Sequence, residues 1–166
     1  KIDFLSCLEH SARQLVIRRP DNRTEAIAGY PWFGSFTRDS FVALPGITLT
    51  QNHKEDCMDA IDTLVRDMAD GDFAGNGSAR VAADAPLWFF YTLQHLEKHI
   101  GQKALWERYG EQMKSILEAY RRGFGEEVKL MDNGLIWASA ERPLTWMGTI
   151  VDGQPLTPRR GYAVEI

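Results

Sequence analysis

Between residues 85 and 100 the chain places Leu87, Trp88, Phe89, Phe90, Tyr91, Leu93 and Leu96 at positions that leave a helix little polar circumference. Such a helix is expected to be buried on most sides and to lie in an inner layer. That requirement constrains the fold more than any other segment does. The material to meet it is present. Phe4, Leu5, Leu8, Ala12 and Leu15 form one stripe at helical spacing; Cys57, Ile61, Leu64, Val65 and Met68 form a second; Leu105, Tyr109, Met113, Ile116, Leu117 and Tyr120 form a third. A further helix is expected to start near Thr37 and to carry Phe41, Val42, Leu44 and Ile47, with Pro45 and Gly46 bending or breaking it.

Boundary residues suit this reading. Asn52 followed by Glu55 reads as an N-cap with its capping-box partner, and Asp84 is placed to cap the helix that Pro86 enters in its first turn. Gly71 and Gly101 sit where glycines end helices. After residue 125 the pattern changes. VKLM and LIWA flank Asn133-Gly134, which predicts one short β-hairpin near residues 127–139 with a type I′ turn. Residues 142–161 read as a long polar loop with three prolines, and loops of more than about 12 to 15 residues are commonly functional. The fold class expected is mainly α, built of stacked helical hairpins in one domain.

Charge and composition remove several function classes. With 19 basic and 23 acidic residues the net charge is −4, which offers no footprint for a phosphate backbone, so nucleic acid is not an expected partner. No stretch approaches the roughly 18 apolar residues of a membrane span. The two cysteines, Cys7 and Cys57, read as buried small hydrophobes in a reducing compartment, which points to the cytoplasm. His95 and His99 have i, i+4 spacing, but HLEKH lacks the glutamate placement of a zinc helix and reads as a solvated face, so no metal is expected. No serine or cysteine stands in a nucleophile elbow.

What remains is aromatic and carboxylate chemistry. In AGYPWFGSFTRDS, residues 28–40, Tyr30, Trp32, Phe33 and Phe36 lie in a Gly/Pro loop that runs into Arg38 and Asp39. Sugars present apolar C–H faces and a ring of hydroxyls; a flat ring covers the first, and a guanidinium with a carboxylate hydrogen-bonds the second. The alternative is that Asp39 favours the positive end of a helix and the rings pack a loop. Asp84 reads as a cap before it reads as a ligand contact, and Trp88 as core. Breaking a glycosidic bond needs two carboxyl groups, one as acid and one as base or nucleophile, and spacing alone does not pair them here.

In order and at these intervals, AGYPWFGSFTRDSFVALPGITL, DAPLWFFYTLQHL, DNGLIWAS and LTWMGTIVDGQPLTPRRGYAVEI resemble the glucosidase domain of glycogen debranching enzymes, the amylo-α-1,6-glucosidase module. The resemblance runs from about Thr24 to the last residue and extends to glucoamylase-like six-hairpin glycosidases. It implies an (α/α)6 toroid, here a partial one corresponding to the N-terminal half of the domain over residues 1–166. It also implies inverting release of glucose from α-1,6 branch stubs of a limit dextrin, a glucan or oligosaccharide as the ligand, and no cofactor.

By the same resemblance, Trp32, Arg38 and Asp39 hold the terminal glucose, with Asp84, Trp137, Trp146, Arg160 and Glu165 as further pocket residues. One position departs from the family pattern Thr-Trp-Met-Asp: Gly148 stands where the general acid is expected, and Asp152, four residues on, is the substitute to consider. The second catalytic carboxylate is expected beyond Ile166. A half toroid is also expected to self-associate through its uncovered inner face. A carbohydrate-binding pseudoenzyme and a helical scaffold for protein partners are the competing functions.

Overall fold

The computed structural model of the chain describes residues 3–69, 71–73, 83–124, 126–139, 144–145, 150–155 and 161–162. Among these, the fold is mainly helical: α1 (Phe4–Gln14), α2 (Thr37–Ile47), α3 (Lys54–Arg66), α4 (Ala85–Ile100) and α5 (Gln102–Arg122), with a 3-10 turn at Leu49–Gln51. All five helices fall where the sequence places them, except that α3 ends at Arg66, before Met68 of its stripe.

As its sequence requires, α4 is the central element. Phe89, Thr92, Leu93 and Leu96 are buried on it, and it packs on α2, α3 and α5. The core centres on an aromatic cluster in which Phe41 of α2 meets Phe73 at 5.0 Å and Phe89 at 5.6 Å, both edge to face, while Phe89 meets Tyr109 of α5 at 6.1 Å. A fully buried side chain of this size contributes roughly 1.5 to 3 kcal/mol through its removal from water. One polar contact fixes the α2–α4 register: the buried Thr92 hydroxyl donates to the Phe41 carbonyl at 2.6 Å. Pro45 does not break α2, which continues to Ile47 with the ring buried.

Several expectations are corrected. Helix α1 forms, capped by Asp3 through the Ser6 amide, but buries no residue, and Phe4, Leu5 and Leu8 stay at least half exposed. Cys57 is buried as expected, whereas Cys7 on that exposed helix faces solvent. Asn52 does not cap α3. It closes the 3-10 turn in the left-handed conformation, φ 60°, and His53 occupies the cap position. Gly101 does link α4 to α5 at φ +83°, but Gly71 ends no helix. It lies between the short strands β3 (Met68–Ala69) and β4 (Asp72–Phe73) at φ +80°, where an added Cβ would stand 2.5 Å from the Ser115 carbonyl of α5. No other residue fits that approach.

The strands are more numerous than the single hairpin expected. β1 (Val16–Arg18) and β2 (Thr24–Ala26) pair antiparallel before α2. The expected hairpin is present as β5 (Val128–Leu130) and β6 (Ile136–Ala138), but its loop is longer than a two-residue turn. Met131 N–H donates to the Leu135 carbonyl and Gly134 N–H to the Met131 carbonyl, and Gly134 alone takes positive φ. A type I turn closed by a left-handed glycine is the three-residue solution. β9 (Gly161–Tyr162) adds to the far edge of β6. Inside the segment read as loop, β7 (Ile150–Val151) and β8 (Gln154–Pro155) form a further pair around Asp152 and Gly153, both at positive φ. The type I′ turn is therefore here and not at Asn133-Gly134.

Candidate functional site

The site is assembled where the start of α2 meets the start of α4. Upstream, the aromatic loop is closed by its own backbone: Ala28 N–H donates to the Gly34 carbonyl at 2.9 Å and Phe33 N–H to the Gly29 carbonyl at 3.0 Å, with the Tyr30-Pro31 bond cis. The rings it carries, Tyr30, Trp32, Phe33 and Phe36, are all exposed, Trp32 at 83 %. α2 then starts with Phe36 at its cap position and no side-chain cap. The buried Ser40 hydroxyl donates to the Ala26 carbonyl of β2 at 3.1 Å and pins this first turn to the preceding hairpin.

On that pinned turn Arg38 does not pair with Asp39. Consecutive helical side chains diverge and do not face each other. The Arg38 guanidinium instead reaches 46 residues along the chain to Asp84, with Nε donating to Oδ2 and Nη2 to Oδ1, each at 2.6 Å. The Asp84 side chain is 2 % exposed and that of Arg38 25 %. Asp39 sits exposed in the first turn of α2, where the helix dipole favours a carboxylate.

Asp84 occupies the cap position of α4, as expected, yet its side chain makes no capping bond; both oxygens go to Arg38. Its backbone is held from two sides. The Tyr120 hydroxyl of α5 donates to the Ala83 carbonyl at 2.5 Å, and Ala83 N–H donates to the Leu144 carbonyl at 2.8 Å. Three distant parts of the chain therefore converge to fix one carboxylate.

Beside the pair opens a cavity of about 510 Å³. Arg38 and Asp39 supply its charged groups, Trp88 one aromatic wall, and Ala26, Ile27, Val42 and Ile47 apolar surface. At Trp88 the structure departs from the core position that the sequence suggests. It is half-buried, packs edge to face on Tyr91 at 5.4 Å, and reaches the cavity because it lies one helical turn beyond Asp84. The i, i+4 relation of Asp84 and Trp88 was the signal that could have found it.

The other expected site residues divide into two groups. Among the described residues, neither Trp32 nor Trp137 lines this cavity. Trp137 is half-buried on β6, opposite Lys129 on one side and Tyr162 on the other. Asp152 is exposed and takes φ 51° in the β7–β8 turn. Trp146, Gly148, Arg160 and Glu165 lie outside the described residues. His95 packs edge to face on Tyr91 at 4.7 Å, and among the described residues no cluster of His, Cys, Asp and Glu could hold a metal ion. No described helix is long and apolar enough to cross a membrane.

A cavity with one aromatic wall, a fixed arginine and a free carboxylate suits a small hydroxylated ligand. Comparison with known proteins bears on which one. No curated protein and no solved structure matches the chain. The family described as amylo-alpha-1,6-glucosidase matches over residues 10–166, nearly the whole length, and the chain belongs to that family.

Proposed function

We propose that this chain binds the terminal glucose of an α-glucan and carries part of the machinery that removes a single α-1,6-linked glucose from a limit dextrin. The observation that supports this best is the shared cavity of Arg38, Asp39 and Trp88, with Arg38 held by Asp84. Its volume falls in the range of about 300 to 1,000 Å³ common for small-molecule sites. Trp88 offers a face for the sugar C–H groups, and Asp39 and the free edge of Arg38 offer an acceptor and donors for its hydroxyls.

In an inverting hydrolysis one carboxylic acid protonates the departing oxygen while a carboxylate activates water on the opposite face, the two being about 6.5 to 9.5 Å apart. Position 148, where the family resemblance puts the acid, is glycine. Loss of a general acid costs about 10² to 10⁴ in rate. The reading therefore predicts binding with little turnover, and Gly148 is what favours the second reading, a carbohydrate-binding protein of glucosidase ancestry.

Calorimetric titration with maltose, isomaltose and a limit dextrin tests the binding. Saturable heat that disappears in Arg38→Ala supports it, and the absence of any sugar-dependent heat refutes it in favour of a scaffold. Glucose release by Gly148→Asp against the Gly148 form, each in a chain that also carries the second catalytic carboxylate, tests the missing acid. Brisk release by the Gly148 form would show that the proton comes from elsewhere, Asp152 being the first residue to substitute.

A further inference from the structure

Arg38 and Asp84 carry more information than their place beside the cavity. A guanidinium has five N–H groups. Asp84 engages one on Nε and one on Nη2, so both Nη1 hydrogens and the second hydrogen of Nη2 remain for a ligand. The same carboxylate cancels the cation's charge at close range, in a pair of which one member is almost fully buried. The charged groups that line the cavity among the described residues are Arg38 and Asp39; with Asp84 behind Arg38 their sum is one negative charge.

An anionic ligand thus meets an arginine that is already neutralised, beside an unneutralised carboxylate. An uncharged polyol meets the donors that Arg38 keeps and the Asp39 acceptor at no Coulombic cost. Asp84 itself is not among the described residues lining the cavity, and both its oxygens are engaged by Arg38, so it acts through Arg38.

We propose that Asp84 is a positioning and specificity-determining residue, which aims Arg38 and cancels its charge so that the cavity selects an uncharged hydroxylated ligand over its anionic counterpart. This rests on the sugar-binding reading given above. The site distinguishes ligands by charge, through a residue that never touches them.

The test uses glucose and glucuronate, which differ only in a hydroxymethyl or a carboxylate at C6, titrated by ligand-observed NMR into the unaltered chain and into Asp84→Asn. The unaltered chain should prefer glucose by about tenfold or more, the worth of a charge-assisted hydrogen bond. Asp84→Asn should lose glucose affinity and gain glucuronate affinity, moving the ratio by about tenfold or more towards the anion. A merely structural role would weaken both ligands together. An unchanged ratio in a folded variant overturns the inference and leaves the sugar reading standing, while failure of the unaltered chain to bind either sugar overturns that reading and this inference with it.

If Asp84→Asn does not fold, the Arg38 Nε–H resonance of the unaltered chain decides. A resolved signal in slow exchange with water, insensitive to added salt, supports the clamp; rapid exchange with solvent overturns it.

Discussion

Two arginine–aspartate pairs each bridge 46 residues of sequence, Arg38 with Asp84 and Arg108 with Asp62, and both are held by two hydrogen bonds. They end in different surroundings. The first joins the starts of α2 and α4 with its carboxylate 2 % exposed; the second joins α5 to α3 with side chains 45 % and 34 % exposed. The first opens onto a cavity, and the second is tied off by the Tyr109 hydroxyl, which donates to Asp62 at 3.0 Å and accepts from Arg108 at 3.1 Å. What separates a site from a strut is therefore not the pair but its remainder. Arg38 keeps donors beside an empty volume, whereas the second pair spends its polar atoms on Tyr109 and on solvent.

The largest effect that tests this contrast is on stability. Asp84→Ala leaves a partly buried guanidinium without its counter-charge, and breaking such a pair from one side costs about 3 to 5 kcal/mol. Urea denaturation should show that loss. Replacing both members by apolar residues of similar size, as in Arg38→Met with Asp84→Leu, should restore most of the stability while abolishing sugar binding. A loss below about 1 kcal/mol in Asp84→Ala would place the first pair in the same class as the second.

Alkaline pH separates the two regions next, because two buried groups stand on the α3–α5 side. Burial pushes the Cys57 thiol up to about 11 from 9.0. The folded state holds that proton more tightly than the unfolded one. Its contribution is therefore complete below about pH 9 and is lost as pH rises to about 11, a total of roughly 2 to 3 kcal/mol. Cys57→Ala should flatten this limb in pH-dependent unfolding. Burial, and then the Asp62 charge, raise the Tyr109 phenol above its ordinary 10.0, so its contribution also fades as pH climbs past 10. In the Cys57→Ala background, Tyr109→Phe should remove the remaining slope and cost about 0.5 to 1.5 kcal/mol at neutral pH. A slope that persists in the double variant would assign it to other groups.

Sequence showed the helices well and their partners poorly, for physical reasons that differ by element. The α4 segment is apolar on most sides, so its helicity and most of its burial are legible, although Tyr91 stays exposed. The stripe on α1 is just as periodic, yet among the described residues only its end at Ala12 and Leu15 is partly covered, because periodicity reports a face and not what lies against it. The β1–β2 hairpin is not legible in the sequence because Asn22, at φ 64°, takes the left-handed position where a glycine would mark the turn after Pro20-Asp21. Asp152-Gly153 forms the two-residue turn and Asn133-Gly134 part of a three-residue one, although each dipeptide permits a tight turn. At the site, Arg38 and Asp39 were read together because they are adjacent. A helix separates neighbours and joins residues distant in sequence, so Asp84 reads as a cap or, through the resemblance, as a pocket residue, and not as the partner of Arg38.

The smallest expected effect discriminates most sharply between the pairs, because it depends on solvent alone. A double-mutant cycle on Arg108 and Asp62 should give a coupling below about 1 kcal/mol at low salt, since both side chains are at least a third exposed. Mobile ions reach such a pair. The screening length falls from about 10 Å at 0.1 M salt to about 3 Å at 1 M, and the coupling should shrink accordingly. The same cycle on Arg38 and Asp84 should keep its value over that range, because a carboxylate 2 % exposed leaves ions no approach. Equal salt sensitivity in the two cycles would mean that water reaches Asp84, and an Asp84 open to water could neither hold Arg38 in one orientation nor cancel its charge for an incoming ligand.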